Sequence, residues 1–185
     1  SGWIGGAAES WERGPYWLDG IVPLAYLLGD ERLLAKGRRW MDYILAHQQE
    51  DGWLGPVQGT TQGTVYPAYD PWPTFVVLKA MAQHYDAGGD ERILGAMSRF
   101  LRRLQGQLAE TPLFLWGHYR WADLVWSVHW LYEHTREPWL LELAATAHAQ
   151  GYDWRAHFAD FQWPERVPAD GWDFSSHVVN NAMAI

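Results

Sequence analysis

The chain has 185 residues, a formal net charge of −8, 14 tryptophans and no cysteine. An acidic chain without a basic stripe is a poor candidate for binding nucleic acid or an anionic membrane, and no run of about 18 apolar residues predicts a membrane span. The lack of cysteine excludes disulfides, thiolate metal ligands and a cysteine nucleophile among these residues, while the length suits a single domain over residues 1–185.

The apolar residues follow a helical spacing along almost the whole chain. In the first pattern, Leu18, Ile21, Val22, Ala25 and Leu28 keep the i, i+3, i+4, i+7 rhythm of one helix face. Further helices are predicted at about residues 31–49, 72–86, 91–108, 121–135, 138–150 and 174–184. No stretch alternates for long enough to predict a strand. The sequence therefore predicts an all-α fold, in which Pro23 kinks the first helix or marks a boundary.

A short motif that joins two helices recurs along the chain. Its copies are Tyr26–Leu34, Tyr85–Leu94 and, more weakly, Tyr132–Leu141. Gly29 and Gly89 fit the C-terminal cap of one helix, and Asp30 and Asp90 fit the N-cap of the next. A period of this length with two helices in each copy is typical of repeated helical hairpins. We expect three hairpins and the start of a fourth.

The connections between these hairpins are long and rich in Trp, Gly and His. They cover Glu50–Trp72, Glu110–Trp121 and Tyr152–Phe174, and Glu9–Asp19 leads into the first helix. Because antiparallel helices with short turns at one end must have their long loops at the other, these segments should converge on one face. Loops that a rigid scaffold holds usually carry function, so this face is the predicted binding site.

The tryptophans in these loops stand beside carboxylates and flexible residues, as in Asp51-Gly52-Trp53 and Asp70-Pro71-Trp72-Pro73. A flat ring can stack on the apolar face of a sugar while a carboxylate accepts its hydroxyl hydrogens. The alternative is that the large rings fill gaps between helices. The candidates for sugar contact are Trp11, Trp53, Tyr66, Trp72, His118, Tyr119, Arg120, Trp121, Trp172, Asp173, His177 and Asn181. The tryptophans within helical patterns, predicted to be core, are Trp40, Trp126, Trp130 and Trp139.

Several segments resemble the β-L-arabinofuranosidase superfamily, glycoside hydrolase family 127 and its relatives. They are Glu12–Gly20, His47–Pro56, Tyr69–Pro73 and His177–Ala184. The resemblance implies an (α/α)6 toroid, six helical hairpins with inner helices around a sugar-binding cleft. With fewer hairpins, this chain is expected to be part of a longer enzyme, or a reduced protein in which a second copy covers the open helical edge.

The sequence departs from what the resemblance implies about catalysis. Relatives of this type are expected to use a zinc-bound cysteine with a glutamate acid/base, and their catalytic glutamates lie further along than these segments. No cysteine is present here, and the eight histidines lack the spacing of a zinc or iron site. We therefore predict no metal and no cofactor.

Glycoside hydrolysis needs two carboxyl groups, about 5–5.5 Å apart for retention and about 6.5–9.5 Å apart for inversion. The catalytic candidates are Asp70, which precedes a Trp-Pro helix start, and Glu9 and Glu12, which flank Trp11. The alternative for Asp70 is an N-cap of the following helix, and for the two glutamates a first-turn role or an ion pair with Arg13.

Three functions remain open from the sequence. The first is a glycoside hydrolase that acts on plant cell-wall or similar polysaccharide, with an oligo- or polysaccharide as partner. The second is a non-catalytic carbohydrate-binding fragment of such an enzyme. The third is a polysaccharide lyase, in which Tyr119 or His118 acts as base and Arg120 neutralises a uronate. The alternative for Arg120 is an ion pair with Asp123, and for His177 and Asn181 a structural hydrogen-bond network.

Overall fold

The computed structural model describes residues 1–57, 60–61, 64–65, 68–160 and 173–184. It is helical apart from a small antiparallel pair, β1 (Thr60–Thr61) with β2 (Thr64–Val65). A 3₁₀ turn at Gly2–Ile4 precedes the helices, which are α1 (Arg13–Leu28), α2 (Glu31–Ala46), α3 (Trp72–Gly88), α4 (Arg92–Glu110), α5 (Leu115–Tyr119), α6 (Trp121–Thr135), α7 (Trp139–Gln150), α8 (Trp154–Ala159) and α9 (Val178–Met183). The predicted all-α fold is confirmed.

Three helical hairpins form the body of the described chain: α1 with α2, α3 with α4, and α6 with α7. Helices α1, α3 and α6 pack side by side as an inner row, and α2, α4 and α7 lie behind them. Helix α3 has an inner helix on each side, so residues such as Phe75, Leu78 and Met81 are fully buried. Two layers of paired helices of this kind are an (α/α)-type fold.

The repeated motif forms the short turns of these hairpins. Each inner helix ends at a residue with a left-handed backbone, namely Gly29 (φ 61°), Gly89 (φ 69°) and Arg136 (φ 58°). In every case its backbone N–H donates to the carbonyl of the tyrosine that begins the repeat. The carboxylates of Asp30 and Asp90 then accept backbone N–H groups at the start of the next helix. The predicted caps at Gly29, Gly89 and Asp30 are confirmed, whereas Asp90 stands one position before Glu91, the N-cap residue of α4.

Pro23 marks no boundary in α1, contrary to one of its two expected effects. The helix continues through it to Leu28. The buried stripe of Leu18, Val22 and Ala25 packs on both sides of the proline, and this packing holds the turn that lacks the proline N–H. Among the described helices, none combines the length and the apolar character that a membrane span requires.

The long connections meet at the end opposite the short turns, as predicted. Trp11 in the N-terminal segment donates its indole N–H to Asp70, which precedes α3, at 2.9 Å. Its ring centroid lies 6.4 Å from that of Trp116 in α5. Trp116 in turn has His177, next to α9, at 5.1 Å between centroids. Four separate segments are thus joined by direct contacts at this end, which we call the loop end.

The core contains three of the four tryptophans expected there. Trp139 is buried, and Trp40 and Trp130 pack against the core from partly exposed positions. Trp126 was expected in the core, but it is 47% exposed, because the described helices leave its side of α6 uncovered.

Candidate functional site

An aromatic cluster forms the floor of the loop end, and Trp72 is its centre. Trp72, the first residue of α3, is completely buried. Its ring stacks with Trp116 at 6.4 Å and an angle of 25° between planes. The edge of Trp116 is met by Phe174 and His177, at centroid distances of 5.0 and 5.1 Å. This packing fixes the rings from three connections relative to the inner helices.

Glu12 lies beside this cluster, immediately before α1. The indole N–H of Trp72 donates to its Oε2 atom at 3.3 Å. Burial raises the pKa of Glu12 above its ordinary value, and the negative charge of Glu9 adds to the rise. The hydrogen bond from Trp72 and the positive charges of Arg120 and Arg13 oppose it without cancelling it. Glu12 therefore keeps its proton to a higher pH than an ordinary glutamate.

Arg120 also lies over the ring of Trp72. Its side chain is 4% exposed, and its guanidinium carbon lies 4.5 Å from the Trp72 ring centroid. Nε donates to Asp123 Oδ2 at 2.7 Å, and Nη1 donates to the Tyr16 hydroxyl at 3.4 Å. Burial also raises the pKa of Tyr16, against the nearby Arg120 charge. The charge of Arg120 is thus paired before any ligand arrives.

The polar groups continue along the inner helices below this point. Glu12, Tyr16 and Asp19 follow one another at helical spacing on and before α1. Asp19 Oδ2 accepts from Lys79 Nζ of α3 at 3.2 Å, and Asp19 Oδ1 is buried without a partner in the described part of the chain. With Asp123 of α6, these residues form a polar strip across all three inner helices. We call this surface the inner cleft.

Asp70 is buried, at 2% exposure, and both of its oxygens are engaged. Oδ2 accepts the Trp11 indole N–H at 2.9 Å, and Oδ1 accepts the backbone N–H of Trp72 at 3.1 Å. Burial raises the pKa of Asp70, although both hydrogen bonds oppose this. Asp70 is close to the N-cap alternative from the sequence: it precedes the N-cap residue Pro71, binds the first N–H of α3 and also positions Trp11.

Glu9 shows a similar local role. Its Oε1 accepts the backbone N–H of Trp11 at 2.7 Å and that of Arg13 at 3.4 Å. The same residue leaves Oε2 buried without a hydrogen bond from any described residue. Glu9 therefore holds the chain at the start of α1, and its charge acts on Glu12.

Trp53 was expected to stack on a sugar, and the structure places it in the core instead. It is 1% exposed, and its indole N–H points to the Pro56 carbonyl at 3.5 Å. Phe100 of α4 lies 5.5 Å from it between centroids. No face of this ring is open to a ligand. Tyr66 and Trp172, two further candidates, lie outside the described residues.

The residues expected around α5 are brought together, but mostly by contacts with one another and with the end of α7. His118 Nδ1 lies 2.8 Å from the Gln150 carbonyl oxygen. Tyr119 stacks on Phe174 at 5.1 Å between centroids. The indole N–H of Trp121 donates to the Tyr152 carbonyl at 3.0 Å. These groups hold the connection between α4 and α6 in place.

Two further candidates belong to the hydrogen-bond network that anchors α9. The Asn181 amide donates to the His177 carbonyl at 3.0 Å, and its oxygen lies 3.1 Å from His157 Nε2 of α8. Asp173 accepts the backbone N–H of Ser176 at 2.8 Å within its own turn. For Asn181 this is the structural alternative stated from the sequence. His177 also belongs to this network, because its Nδ1 accepts the backbone N–H of Asn180 at 3.4 Å; its ring in addition faces Trp116, and burial and the Arg120 charge lower its pKa.

Sequence reasoning missed two residues of the inner cleft, Tyr16 and Lys79, and assigned to the core a third residue beside the cleft, Trp126. A signal was present for the first, since Glu12, Tyr16 and Asp19 make a polar stripe on a helix that is otherwise apolar. Lys79 and Trp126 stand alone within apolar helical patterns. Only the packing of α3 and α6 reveals that they lie on the same side.

The zinc-bound cysteine implied by the family resemblance does not fit these residues. The chain has no cysteine to supply a thiolate. Within the described ranges, no group of three or more His, Asp or Glu side chains is placed to hold a metal ion. The inner cleft offers carboxylates paired with cations, which is a different donor set.

Comparison with known proteins supports the resemblance. A family model described as "Beta-L-arabinofuranosidase, GH127 catalytic domain" matches residues 7–164. No curated protein and no solved structure matches the chain. The matched range includes every residue of the inner cleft and begins just before Glu9. With most of its length matched, the chain belongs to the GH127 β-L-arabinofuranosidase catalytic-domain family.

Proposed function

We propose that this chain binds a plant cell-wall or similar glycan in the inner cleft, and that Glu12 donates the proton to the glycosidic oxygen. The family is one of carbohydrate-active glycoside hydrolases. The observation that carries the assignment to Glu12 is its combination of partial burial, raised pKa and direct contact with Trp72. A general acid works from its protonated form, and burial of a carboxyl group favours that form.

The neighbours of Glu12 suit the charge change that proton transfer brings. Once the proton leaves, the carboxylate keeps the Trp72 indole N–H as a donor and the Arg120 charge nearby. Hydrogen bonds to the charged form stabilise it. Asp19 and Asp123 supply further carboxylates on the same surface, each paired with a cation. The separation between the acid and its partner in the bound complex decides between retention and inversion.

Asp70 and Glu9 receive a different role in this proposal. Asp70 uses both oxygens to hold Trp11 and the start of α3, and Glu9 Oε1 holds the start of α1. They position the rings and the acid rather than meet the substrate. Glu9 additionally raises the pKa of Glu12 through its charge.

The lyase alternative receives less support from the geometry. A lyase would need Arg120 free to neutralise a uronate, but its guanidinium is already paired with Asp123 at 2.7 Å. His118 Nδ1 is engaged with the Gln150 carbonyl, so it is not positioned as a free base through that nitrogen. An unsaturated uronate product, detected by its ultraviolet absorbance, would favour the lyase over the hydrolase.

Hydrolysis of arabinofuranosyl oligosaccharides and aryl arabinofuranosides by Glu12→Gln tests the proposal. We expect a loss of about 10²–10⁴-fold in kcat on the oligosaccharides, the usual contribution of a positioned proton donor. The loss should be much smaller for a dinitrophenyl glycoside, because that leaving group departs without protonation. Glu31→Gln is the matched control, since Glu31 is exposed in the first turn of α2.

The outcomes separate the remaining alternatives. Full oligosaccharide turnover by Glu12→Gln would exclude this residue as the acid. Sugar binding by the parent chain without turnover of any glycan would favour the non-catalytic carbohydrate-binding alternative.

A further inference from the structure

An exposed tryptophan faces a small cavity further along the inner cleft. Trp126 of α6 is 47% exposed, the highest value among the tryptophans in the described part of the chain. The cavity has a volume of about 330 Å³ and is lined by Lys79, Ala122, Asp123, Trp126 and Met183. Sites for small molecules begin at about 300 Å³, so this space suits a group of the size of one sugar ring.

The groups around this ring match the hydrogen-bonding capacity of a sugar. An ammonium has three N–H donors, and the hydrogen bond from Lys79 to Asp19 uses one of them. Asp123 also lines the cavity, and of its two carboxylate oxygens Oδ2 accepts from Arg120. Sugar hydroxyls both donate and accept. They can satisfy these groups while a ring face covers Trp126.

Lys79 of α3 and Trp126 of α6 line the cavity, and the hydrogen bond from Lys79 to Asp19 ties this position to α1. Asp19 follows Glu12 by seven residues, Lys79 follows Trp72 by seven, and Trp126 follows Arg120 by six. At the helical rise of 1.5 Å per residue, these intervals correspond to about 10 Å along the helix axes. The Trp126 cavity is therefore a distinct position from the surroundings of Glu12, and the Asp19–Lys79 pair joins the two.

We propose that Trp126, Lys79 and Asp123 form a second sugar subsite, which holds the ring next to the one whose bond meets Glu12. One ring face stacks on Trp126, and its hydroxyls bond to the Lys79 ammonium and the Asp123 carboxylate. This inference rests on the proposed function and adds a substrate class to it. The ligand is an oligosaccharide of at least two rings that enters along the inner helices.

Calorimetric binding of arabinofuranosyl mono-, di- and trisaccharides tests this subsite. The titrations use the full chain carrying Glu12→Gln, so that the ligands stay intact. We expect the disaccharide to bind more tightly than the methyl monosaccharide, and Trp126→Ala to weaken disaccharide binding by about tenfold or more through loss of the stacked face. Trp126→Ala should leave monosaccharide binding unchanged. The disaccharide affinity of Trp126→Phe should lie between that of the chain with Trp126 intact and that of Trp126→Ala.

Trp17→Ala is the matched control. Trp17 is 39% exposed, and it packs against Trp40 of α2 on the other side of α1. Its loss should leave both affinities unchanged. Lys79→Met should weaken disaccharide binding while the monosaccharide affinity stays the same, which a general loss of folding would not produce.

Two results would overturn the subsite. One is an equal loss of affinity for mono- and disaccharide, or no loss for either, in Trp126→Ala. The other is a stable dimer in sedimentation that Trp126→Ala dissociates, which would make this ring a contact between copies. Failure of Glu12 as the acid is a separate outcome, because it appears as sugar products in the titration mixture, whereas failure of the subsite appears in the affinities for intact ligand.

Discussion

Trp72 donates its indole N–H to Glu12 across 3.3 Å, which joins the first residue of α3 to the residue before α1. The same ring carries the Arg120 guanidinium on its face, at 4.5 Å from the centroid. A single buried side chain therefore sets both the position of the acid and that of the nearest cation. The protonation of Glu12 is coupled to the packing of the aromatic cluster through this ring.

Trp72→Phe should shift the pH dependence of catalysis. The Trp72 hydrogen bond lowers the pKa of Glu12, so its removal raises that pKa further above the ordinary value. Glu12 then stays protonated to higher pH, and an acid-dependent rate is lost only as pH rises through the new pKa. We expect the basic limb of kcat/KM against pH to move to higher pH, with a lower plateau because the carboxylate formed has lost a donor.

Trp53→Phe provides the control for this shift. Trp53 is also a buried tryptophan whose N–H meets an acceptor, the Pro56 carbonyl, and its ring lies against α4. Its replacement removes the same group from the core without touching Glu12. A basic limb that stays in place in Trp72→Phe, or moves equally in Trp53→Phe, would contradict the coupling.

The helices and the loop end were predictable, because a helical period and an alternation of short and long connections leave few arrangements. Whether a given tryptophan is buried or exposed was not predictable. Trp53 stands in the same Asp-Gly-Trp setting as a binding loop, yet Gly52 (φ 95°) lies so close to α4 that an added Cβ would be 2.6 Å from the Arg99 carbonyl oxygen. This close approach of Gly52 to α4 holds the neighbouring Trp53 in the core.

Trp126 is the opposite case, a tryptophan predicted to be buried that the structure leaves exposed. Its spacing within α6 is that of a core residue, and burial depends on whether a neighbour covers that side of the helix. The family resemblance located the chain in a fold, whereas the pairing of Glu12 with Trp72 and of Asp19 with Lys79 spans about sixty residues in each case. Contacts of this sequence separation follow from packing and leave no local pattern.

The buried pair of Arg120 and Asp123 should be strongly coupled in stability. Their side chains are 4% and 9% exposed, and Nε lies 2.7 Å from Oδ2. Removal of one partner leaves a buried charge unpaired, so we expect Arg120→Met to lower the free energy of unfolding by about 3–5 kcal/mol. The double variant Arg120→Met, Asp123→Leu should lose less than the sum of the single changes, as measured by urea denaturation.

An exposed pair supplies the comparison. Arg32 and Asp30 lie 3.1 Å apart, with the arginine side chain 89% exposed. Arg32→Met should cost no more than about 1 kcal/mol, because solvent screens the pair. Strict additivity in the Arg120 and Asp123 cycle would show that the two residues stabilise the protein independently.

Asp70→Asn should change how stability depends on pH. Burial raises the pKa of Asp70 above 3.8 in the folded chain, so the folded state binds its proton more tightly than the unfolded chain does. That contribution is fully present below the unfolded pKa and is lost as pH rises through the folded pKa. Asparagine does not titrate. The unfolding free energy of Asp70→Asn minus that of the parent should therefore increase between about pH 3.5 and pH 7.

Denaturation curves at a series of pH values measure this difference. The amide keeps one acceptor for Trp11 or the Trp72 backbone, so the lost hydrogen bond adds a constant offset rather than a slope. Glu31→Gln again serves as an exposed control. A difference between Asp70→Asn and the parent that does not vary with pH would show that burial of Asp70 imposes no electrostatic cost.

Arg136→Gly should stabilise the protein. Arg136 ends α6 with φ 58°, the position that Gly29 and Gly89 occupy in the first two hairpins. A left-handed backbone costs a residue with a Cβ about 1–2 kcal/mol, and glycine does not have this cost. The change also loses the exposed contact of the guanidinium over Tyr132, at 5.6 Å, which is worth about 0.5–1 kcal/mol. The balance favours glycine, with a rise of about 1–3 °C in Tm by calorimetry.

Gly89→Arg makes the reverse change at the matched turn. A Cβ at Gly89 would meet no atom within 4 Å, so the substitution changes the backbone energy without a clash. It should therefore lower Tm by about as much as Arg136→Gly raises it, since Tyr85 holds the repeat position of Tyr132 and offers its ring to the new guanidinium. Because both turns end an inner helix in the same backbone conformation, shifts of equal sign in the two variants would contradict the equivalence of the repeats. Opposite shifts would show that the third hairpin tolerates strain that the first two avoid.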